Sequence, residues 1–388
     1  MEMCLLFLCV IFGVEGYTIT NQIQLHEDIF NRKYDKVFRP GENRAIPTEI
    51  SIFFYMKSLK EFIESDGKIG IVGTLGLEWV DYRLVWEPTN YGGDLNRTTV
   101  FVYDIWTPYI VLMNPYDKIK PVLLQELSCK AWETGYIQCL PPNIFDASCD
   151  ADVTFYPFDS QTCTLQLYAP GFFSSEIKFR PVLSNFNMDA YEENGLWSVE
   201  STRVYVKTQH VENINFEILQ LEIKIRRRST YYIVILLPIF LINFMHILVF
   251  ALPSDSGERV GFSITVLLTE VLFLTMIQEK LPEASEPGLS YLIYKLLVDL
   301  LLSYLIMLVV VVSSILYNKA DAEEPEECMK TESKFIKLLC KRKQEKGDKH
   351  FWKDAGKAID KFCLISFLIL LALNNIIYFV AVLAEVRF

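Results

Sequence analysis

Charged, small and leucine residues recur at helical spacing between positions 255 and 282, in DSGERVGFSITVLLTEVLFLTMIQEKLP. At about 100° per residue, a helix here aligns on one strip Glu258, Gly261, Thr265, Leu268, Leu272, Met276 and Glu279. The carboxylates at its two ends would attract cations, and the leucines between them could close a watery path by dewetting. The pattern predicts a pore-lining helix present in several copies around an axis, because one helix cannot enclose a pore. The alternative is an ordinary buried helix with charged ends.

The sequence has no comparable set of residues for catalysis. There is no glycine-rich phosphate loop, no Ser/His/Asp spacing and no Cys/His cluster for a metal, and the four histidines are scattered. A net charge of −11 disfavours nucleic acid as a partner. We therefore expect no enzyme activity, no cofactor and no metal site.

Four apolar stretches indicate a membrane protein. The chain has 388 residues, is 51% hydrophobic, and has apolar stretches at 231–252, 260–277, 289–317 and 362–384. Each is compatible with a membrane span. We predict a four-helix transmembrane bundle, with three helices in 229–317, the pore helix at 258–280, and the fourth helix with a short extracellular tail in 359–388. Membrane lipid is thus an expected partner.

The apolar start of the chain predicts export. Residues 1–16 are interpreted as a signal peptide, so that 17–228 would be extracellular on a multi-pass plasma-membrane protein. Residues 318–358 are predicted to be a cytoplasmic loop with an amphipathic helix, which suits its basic run 341–343. The basic cluster 226–228 argues against this orientation, but the signal peptide and the cysteines favour it.

The extracellular part is predicted to be an all-β, immunoglobulin-like sandwich after a short helix at 22–34. Strands are expected at 48–58, 68–75, 77–87, 98–104, 121–127, 136–140, 152–155, 162–168, 176–180, 196–206 and 214–225. Asn96 begins a glycosylation sequon in a polar loop.

Four cysteines of this region are expected to form disulfides. Of the three connectivities open to Cys129, Cys139, Cys149 and Cys163, we predict 129–139 across a hairpin and 149–163 around an apolar turn. Cys328, Cys340 and Cys363 are expected to be free.

Several motifs, in this order, resemble the pentameric ligand-gated ion channels, or Cys-loop receptors. They are WVDYRLVW at 79–86, WTP at 106–108, LPP at 140–142, CDADVTFYPFDSQTC at 149–163, the arginines 226–228, and DSGERV at 255–260. The likeness is closest to the cation-selective nicotinic acetylcholine and serotonin-gated branch. It implies a ring of five subunits, small-molecule agonist sites between extracellular domains, and gating by a twist passed to the membrane.

The resemblance also implies an agonist site, at Thr74, Met113, Gln138, Leu140, Tyr168, Pro170, Phe172, Tyr205 and Phe216. The family's acetylcholine and serotonin receptors surround an ammonium with aromatic rings. Here Thr74, Met113 and Pro170 replace three rings, and no adjacent cysteine pair follows. We therefore expect a larger or amphiphilic agonist rather than a simple quaternary amine. A proton-gated channel, an amino-acid agonist held by Arg203, and a vestigial pocket in an accessory subunit are alternatives.

By the same resemblance, the coupling between the two halves is assigned to Glu64, Phe158, Asp159, Arg227 and Pro282. An ion pair of Arg227 with Glu64 or Asp159 is expected there. The alternative is that these residues only pack.

The charge of the pore strip favours cations. The family's anion channels carry a Pro-Ala insertion that this chain lacks, whereas Glu258 and Glu279 would hold cations near the two mouths. Gly261 would widen the inner passage, and Leu268, with Leu272 above it, would form the gate. Alternatives are an anion channel and a non-conducting or accessory subunit. A homopentamer is expected, with a hetero-pentamer as the alternative.

Glu270 does not belong to the pore strip. It lies about 160° from the centre of that strip and faces packed protein, where an ionised acid is costly unless paired. We hypothesise a pair with Lys295. An acid that is neutral and hydrogen-bonded to a hydroxyl is the alternative.

Overall fold

The computed structural model describes residues 18–30, 34–41, 43–212, 214–228, 230–253, 258–281, 290–321 and 351–386. The signal peptide predicted at 1–16, the central part of the loop predicted at 318–358, and Pro282 lie outside these residues.

The N-terminal half is a sandwich of two sheets preceded by helix α1, Ile19–Phe30. Its described strands are β1 Thr48–Ile63, β2 Lys68–Val85, β3 Arg97–Phe101, β4 Val111–Leu112, β5 Ser128–Trp132, β6 Thr134–Cys139, β7 Pro142–Ser148, β8 Ser160–Tyr168, β9 Ile177–Pro181, β10 Trp197–Val211 and β11 Ile214–Arg227. One sheet has the order β3-β5-β6-β2-β1-β9, with β7 also paired to β2, and the other has the order β10-β11-β8-β4. The predicted β-sandwich is confirmed.

The strands follow from alternating burial. In β8 the buried residues are Gln161, Cys163, Leu165 and Leu167, every second position, because successive side chains of a strand point to opposite faces. The buried face of one sheet meets that of the other in a continuous apolar core. Two disulfides tie the strands together. Cys129–Cys139 joins β5 to β6, and Cys149–Cys163 joins the residue after β7 to β8 and so closes the turn between them.

The break predicted between 68–75 and 77–87 is wrong, because β2 runs through Gly76 without interruption. This glycine lies opposite Phe53 of β1, whose ring covers it. A Cβ atom at Gly76 would lie 2.0 Å from Cε2 of that ring, so the position requires glycine for close approach rather than for a turn.

Two other predicted strands are also absent. Residues 152–155 lead into a turn, and 121–127 forms a loop whose Val122 and Leu123 are buried against the sandwich. In that loop the Val122 N–H donates to the Ile110 carbonyl over 2.8 Å. Conversely, three strands were not predicted, β4, β5 and β7. Of these, β7 begins at Pro142, and proline is tolerated as the first residue of a strand.

The C-terminal half consists of long apolar helices. They are α2 Thr230–Ile247, α3 Glu258–Gln278, α4 Tyr291–Asp321 and α5 Phe351–Val386. Four stretches here are long and apolar enough to cross a membrane, the first running from α2 into a short 3-10 helix at Leu248–Ala251, and at most 33% of any of them is buried within the chain. Much apolar helix surface is therefore left for lipid or for neighbouring subunits.

The turn closed by Cys149 and Cys163 contacts the helices. The Tyr291 N–H donates to the Thr154 carbonyl over 3.0 Å, and the rings of Tyr291 and Phe155 lie 5.6 Å apart. The Tyr378 hydroxyl donates to the Tyr156 carbonyl over 3.5 Å. The start of α4 and the end of α5 thus both meet this turn.

Candidate functional site

The predicted pore strip is the exposed face of α3. Leu268 and Leu272 are each 57% exposed and Met276 is 62% exposed. Glu258, Gly261, Thr265 and Glu279 are exposed as well. The opposite face is buried and consists of Arg259, Ser263, Glu270 and Ile277. One such face cannot enclose a pore by itself, so a pore lined by it would need equivalent helices from other subunits.

The base of α3 is held by a buried ion pair that the sequence did not suggest. Arg259 is fully buried and donates two hydrogen bonds to Asp360 of α5, of 2.9 and 2.7 Å. Ser313 of α4 donates to the same carboxylate over 2.9 Å. Arg259 therefore points away from the strip, and its charge is matched inside the bundle.

The predicted coupling residues meet at Arg227, the last residue of β11. Its Nε donates to Asp159 Oδ1 over 2.8 Å and its Nη2 to Asp159 Oδ2 over 3.1 Å. Nη2 also donates to Glu64. The guanidinium lies 4.3 Å from the ring centre of Trp197, a contact that the sequence did not indicate.

Burial lowers the pKa of the Arg227 guanidinium, but the hydrogen bonds and charges of Asp159 and Glu64 outweigh it and raise that pKa above its ordinary value. Arg227 is thus a permanent cation between the two carboxylates. Phe158 lies in the same turn as Asp159 and is half-buried against the core. These contacts join the end of β11 to the turn that meets α4 and α5.

The residues of the predicted agonist site fall into two groups. The first belongs to the four-stranded sheet and the loop after β8, and comprises Met113, Tyr168, Pro170, Phe172, Tyr205 and Phe216. The rings of Tyr168 and Phe216 lie 6.1 Å apart, and Phe172 lies edge-on to Trp106 at 6.4 Å. This group is an aromatic surface.

A carboxylate lies on the same sheet as this aromatic surface. The Tyr205 hydroxyl donates to Glu222 over 3.4 Å, and Arg203 lies 3.7 Å from the other oxygen of the same acid. Burial and the Glu222 charge raise the pKa of Tyr205. Arg203, the residue considered for an amino-acid agonist, is thus engaged with an acid of its own sheet.

The second group lies on the seven-stranded sheet and comprises Thr74, Gln138 and Leu140. Thr74 of β2 lies opposite Tyr55 of β1 in the sheet register, and Gln138 donates to Glu78 over 2.7 Å. Leu140 follows β6 and is exposed. Since the two groups are on different sheets, a single pocket made of both requires an interface between chains.

The hypothesis that Glu270 pairs with Lys295 is wrong. Lys295 Nζ bonds instead to Asp299, one turn further along α4, over 2.5 Å. Glu270 accepts a hydrogen bond from the Ser303 hydroxyl over 2.6 Å, and His246 Nδ1 lies 3.8 Å away. Lys295 and Asp299 are four residues apart on α4, so they can pair whatever the relative position of α3 and α4. This explains why Lys295 bonds to Asp299 rather than to Glu270.

The remaining predicted sites are on the surface or at the edge of the bundle. Asn96 is exposed directly before β3. Cys363 is a free cysteine, whereas Cys328 and Cys340 lie outside the described residues.

Comparison with known proteins identifies the family. The profile of the neurotransmitter-gated ion-channel ligand binding domain matches residues 22–229, and that of the neurotransmitter-gated ion-channel transmembrane region matches 235–323.

Individual relatives agree with these profiles. The acetylcholine receptor subunit beta of Rattus norvegicus is 30% identical over 74% of this chain and 60% of its own length. The neuronal acetylcholine receptor subunit alpha-3 of Homo sapiens is 33% identical over 68% of this chain and 52% of its own length. The acetylcholine receptor subunit alpha-type acr-16 of Caenorhabditis elegans is 28% identical over 74% of this chain and 58% of its own length.

The chain therefore spans between half and three fifths of the length of these relatives. Its sandwich domain, its four apolar helices and both profile matches lead to one conclusion. The chain belongs to the neurotransmitter-gated ion-channel family, the Cys-loop receptors, which are multi-pass plasma-membrane receptors with an extracellular N-terminal domain and are channels rather than enzymes.

Proposed function

We propose that this chain forms a cation-selective, ligand-gated ion channel in which five copies surround a pore lined by α3. The observation that carries the proposal is the free face of α3, with acids at both ends and Leu268 and Leu272, each 57% exposed, between them. Glu258 and Glu279 are separated by about 32 Å along a helix, which is the thickness of a membrane core. Copies of this face would line the whole path.

Cation selectivity follows from which charges reach the path. Glu258 is exposed at the inner end, whereas the adjacent Arg259 is buried and bonded to Asp360. A ring of Glu258 carboxylates would concentrate cations at the inner mouth, and the neutralised arginines would not oppose it. Gly261, one turn above, leaves the passage wide.

In this proposal the agonist site lies between subunits. The aromatic surface of one chain would face Thr74, Gln138 and Leu140 of the next. Because Thr74, Met113 and Pro170 are not aromatic, the site has fewer rings with which to hold a desolvated ammonium. Its Met, Phe and Tyr lining suits a larger or amphiphilic small molecule.

The non-aromatic residues Thr74, Met113 and Pro170 also favour a second candidate function. In it, the chain is an accessory subunit that conducts only together with related chains. Expression of the chain alone and with a nicotinic-type partner separates the two. Ligand-evoked current from the chain alone supports the homopentamer, and current only with the partner supports the accessory role. If the chain reaches the cell surface and neither arrangement gives current, the channel function is refuted.

Cysteines placed along α3 test the pore directly. In a background with Cys328, Cys340 and Cys363 replaced by serine, we expect Thr265→Cys and Leu268→Cys to be fully modified by a charged, water-soluble thiol reagent in open channels. Ser263→Cys is the matched control, because Ser263 is buried on the opposite face and bonded to His246 over 2.9 Å. Equal reactivity at all three positions would contradict the assignment of the strip.

Charge reversal at Glu258 tests whether the carboxylates at the inner mouth set the ion selectivity. In asymmetric salt, we expect Glu258→Lys to move the reversal potential from near the equilibrium potential of the cation towards that of chloride. Glu258→Gln should move it part of the way. Glu192→Gln removes an exposed extracellular carboxylate and should leave the potential unchanged. An unchanged potential in Glu258→Lys would refute the selectivity argument.

A further inference from the structure

A cavity of about 380 Å³ lies at one end of the helix bundle, where the residues after α2, the end of α4 and the start of α5 come together. Phe250 and Leu364 supply part of its apolar wall, and Lys357 and Lys361 of α5 also line it. Phe250 is buried, with its ring stacked on Phe367 at 5.9 Å, whereas both lysines are exposed. The cavity therefore combines a packed apolar side with an exposed cationic side, and its size is in the range of about 300–1,000 Å³ typical of small-molecule sites.

This cavity lies at the cytoplasmic boundary of the membrane. The stretches Val234–Ala251 and Tyr291–Ile315, each able to cross a membrane, end beside it, and the stretch Gly356–Val382 begins there. Because the N-terminal domain is extracellular, the first and third spans run inwards and the fourth runs outwards, so all three ends are cytoplasmic. Tyr317, which also lines the cavity, is a residue type enriched at the membrane–water interface. Anionic phospholipids are carried by the cytoplasmic leaflet.

The two lysines give this cavity a positive charge. Within the described part of the chain, neither ammonium group lies in an ion pair, and the acid next to Lys361, Asp360, is bonded to Arg259. Lys357 and Lys361 are one turn apart on α5, and two like charges at this spacing repel each other. An anion bound between them would replace that repulsion by two attractions. The charge of the cavity thus favours a negatively charged ligand.

The side of α5 that bears the lysines continues into the membrane as an apolar surface. Leu364 and Leu368 follow Lys361 by three and seven residues, so these side chains and that of Lys357 lie within about 60° around the helix. Leu368 is 38% exposed. Arg259 reaches α5 from the face of α3 opposite the pore strip, so in the proposed channel α5 lies away from the pore and next to lipid. Only this last placement rests on the proposed function; the charge and the lining of the cavity do not.

We propose that this cavity binds an anionic phospholipid of the cytoplasmic leaflet. Lys357 and Lys361 hold the phosphate and the net negative charge of the headgroup, and the acyl chains follow Leu364 and Leu368 along α5. A zwitterionic lipid carries a compensating cation in its headgroup and binds more weakly. A soluble phosphate can meet the lysines but gains nothing from the apolar surface. Because the lipid binds the folded bundle, it stabilises the inner ends of α4 and α5.

Thermal unfolding of the purified full chain in a neutral detergent tests this site. Dioleoylphosphatidylserine should raise the unfolding temperature of the wild type more than dioleoylphosphatidylcholine, which has the same acyl chains. A lysine near an anionic headgroup strengthens binding by about fivefold, so Lys357→Gln combined with Lys361→Gln should raise the half-maximal phosphatidylserine concentration by about 25-fold. The matched control, Lys118→Gln combined with Lys120→Gln, removes two exposed extracellular lysines and should leave that concentration unchanged.

Two outcomes of this comparison would overturn the proposal. One is an equal half-maximal phosphatidylserine concentration in the wild type and in the variant without Lys357 and Lys361. The other is an equal effect of the two lipids on the wild type.

Two further measurements use the wild type alone and do not depend on how well a variant folds. Glycerophosphoserine, the headgroup without acyl chains, should cause no comparable rise in unfolding temperature at the same concentration. An equal rise would assign the cavity to a soluble phosphate and overturn the lipid proposal. The phosphatidylserine effect should shrink as NaCl is added, because the attraction is electrostatic, and an effect independent of salt would also overturn it. Since none of these measurements uses current, their failure would leave the proposed channel function standing.

Discussion

Replacing Arg227 by alanine is expected to destabilise the receptor by about 3–5 kcal/mol, because removing one partner of a buried ion pair leaves the other charge uncompensated. Arg227 and Asp159 are each 3% exposed. The substitution leaves Asp159 with the hydrogen bond from Gln161 (2.7 Å) and removes the guanidinium from the rings of Trp197 and Tyr156. The measurement is denaturant unfolding of the detergent-solubilised full chain, followed by tryptophan fluorescence.

The next residue supplies the control. Arg228 also forms an ion pair, with Glu193 at 2.5 Å, but the two side chains are 34% and 74% exposed. Exposed pairs contribute about 0–1 kcal/mol, so Arg228→Ala should change the free energy of unfolding by no more than that. Equal losses in the two variants would show that burial of the pair is not what matters at this junction. Arg227→Lys, which keeps the charge but not the forked hydrogen bonds, should fall between them.

Periodicity within one helix was sufficient to predict the exposed face of α3. The angle of about 100° per residue orders the side chains around a helix whatever surrounds it. The exposed strip from Glu258 to Glu279 and the buried position of Glu270 on the other face both follow from this angle. Short strand-like runs separated by turns rich in proline, glycine and asparagine similarly indicated most of the strands.

Contacts between helices could not be predicted in this way. The helical angle gives the direction of a side chain but not the depth or rotation of the neighbouring helix. Arg259 and Asp360 are 101 residues apart, and nothing near Asp360 in the sequence distinguishes it from an ordinary charged residue at the start of a span. The same limit led to the wrong partner for Glu270, whose actual neighbours, Ser303 and His246, come from two other helices.

Glycine and proline misled the strand assignment for a related reason. Both residues mark turns in most contexts, but Gly76 accommodates the Phe53 ring and Pro142 opens β7. Only the position of the neighbouring strand distinguishes these uses. The sheet register therefore contains information that local propensity does not.

Arg259→Ala is expected to cost about 3–5 kcal/mol as well, since it removes the opposite charge and two hydrogen bonds from the buried Asp360 carboxylate. It should also loosen the inner end of α3 from α5. The measurement is the same denaturant unfolding of the full chain, with cell-surface abundance as a second readout.

A double substitution separates loss of charge balance from loss of packing. Replacement of a buried ion pair by apolar side chains of similar size is often neutral, so Arg259→Met combined with Asp360→Leu should be more stable than Arg259→Met or Asp360→Leu alone. A double variant that loses the sum of the two single losses would contradict the ion-pair interpretation. In channels that conduct, Asp360→Asn should reduce cation current, because it removes the negative charge that Asp360 sets against Arg259 beside the Glu258 ring.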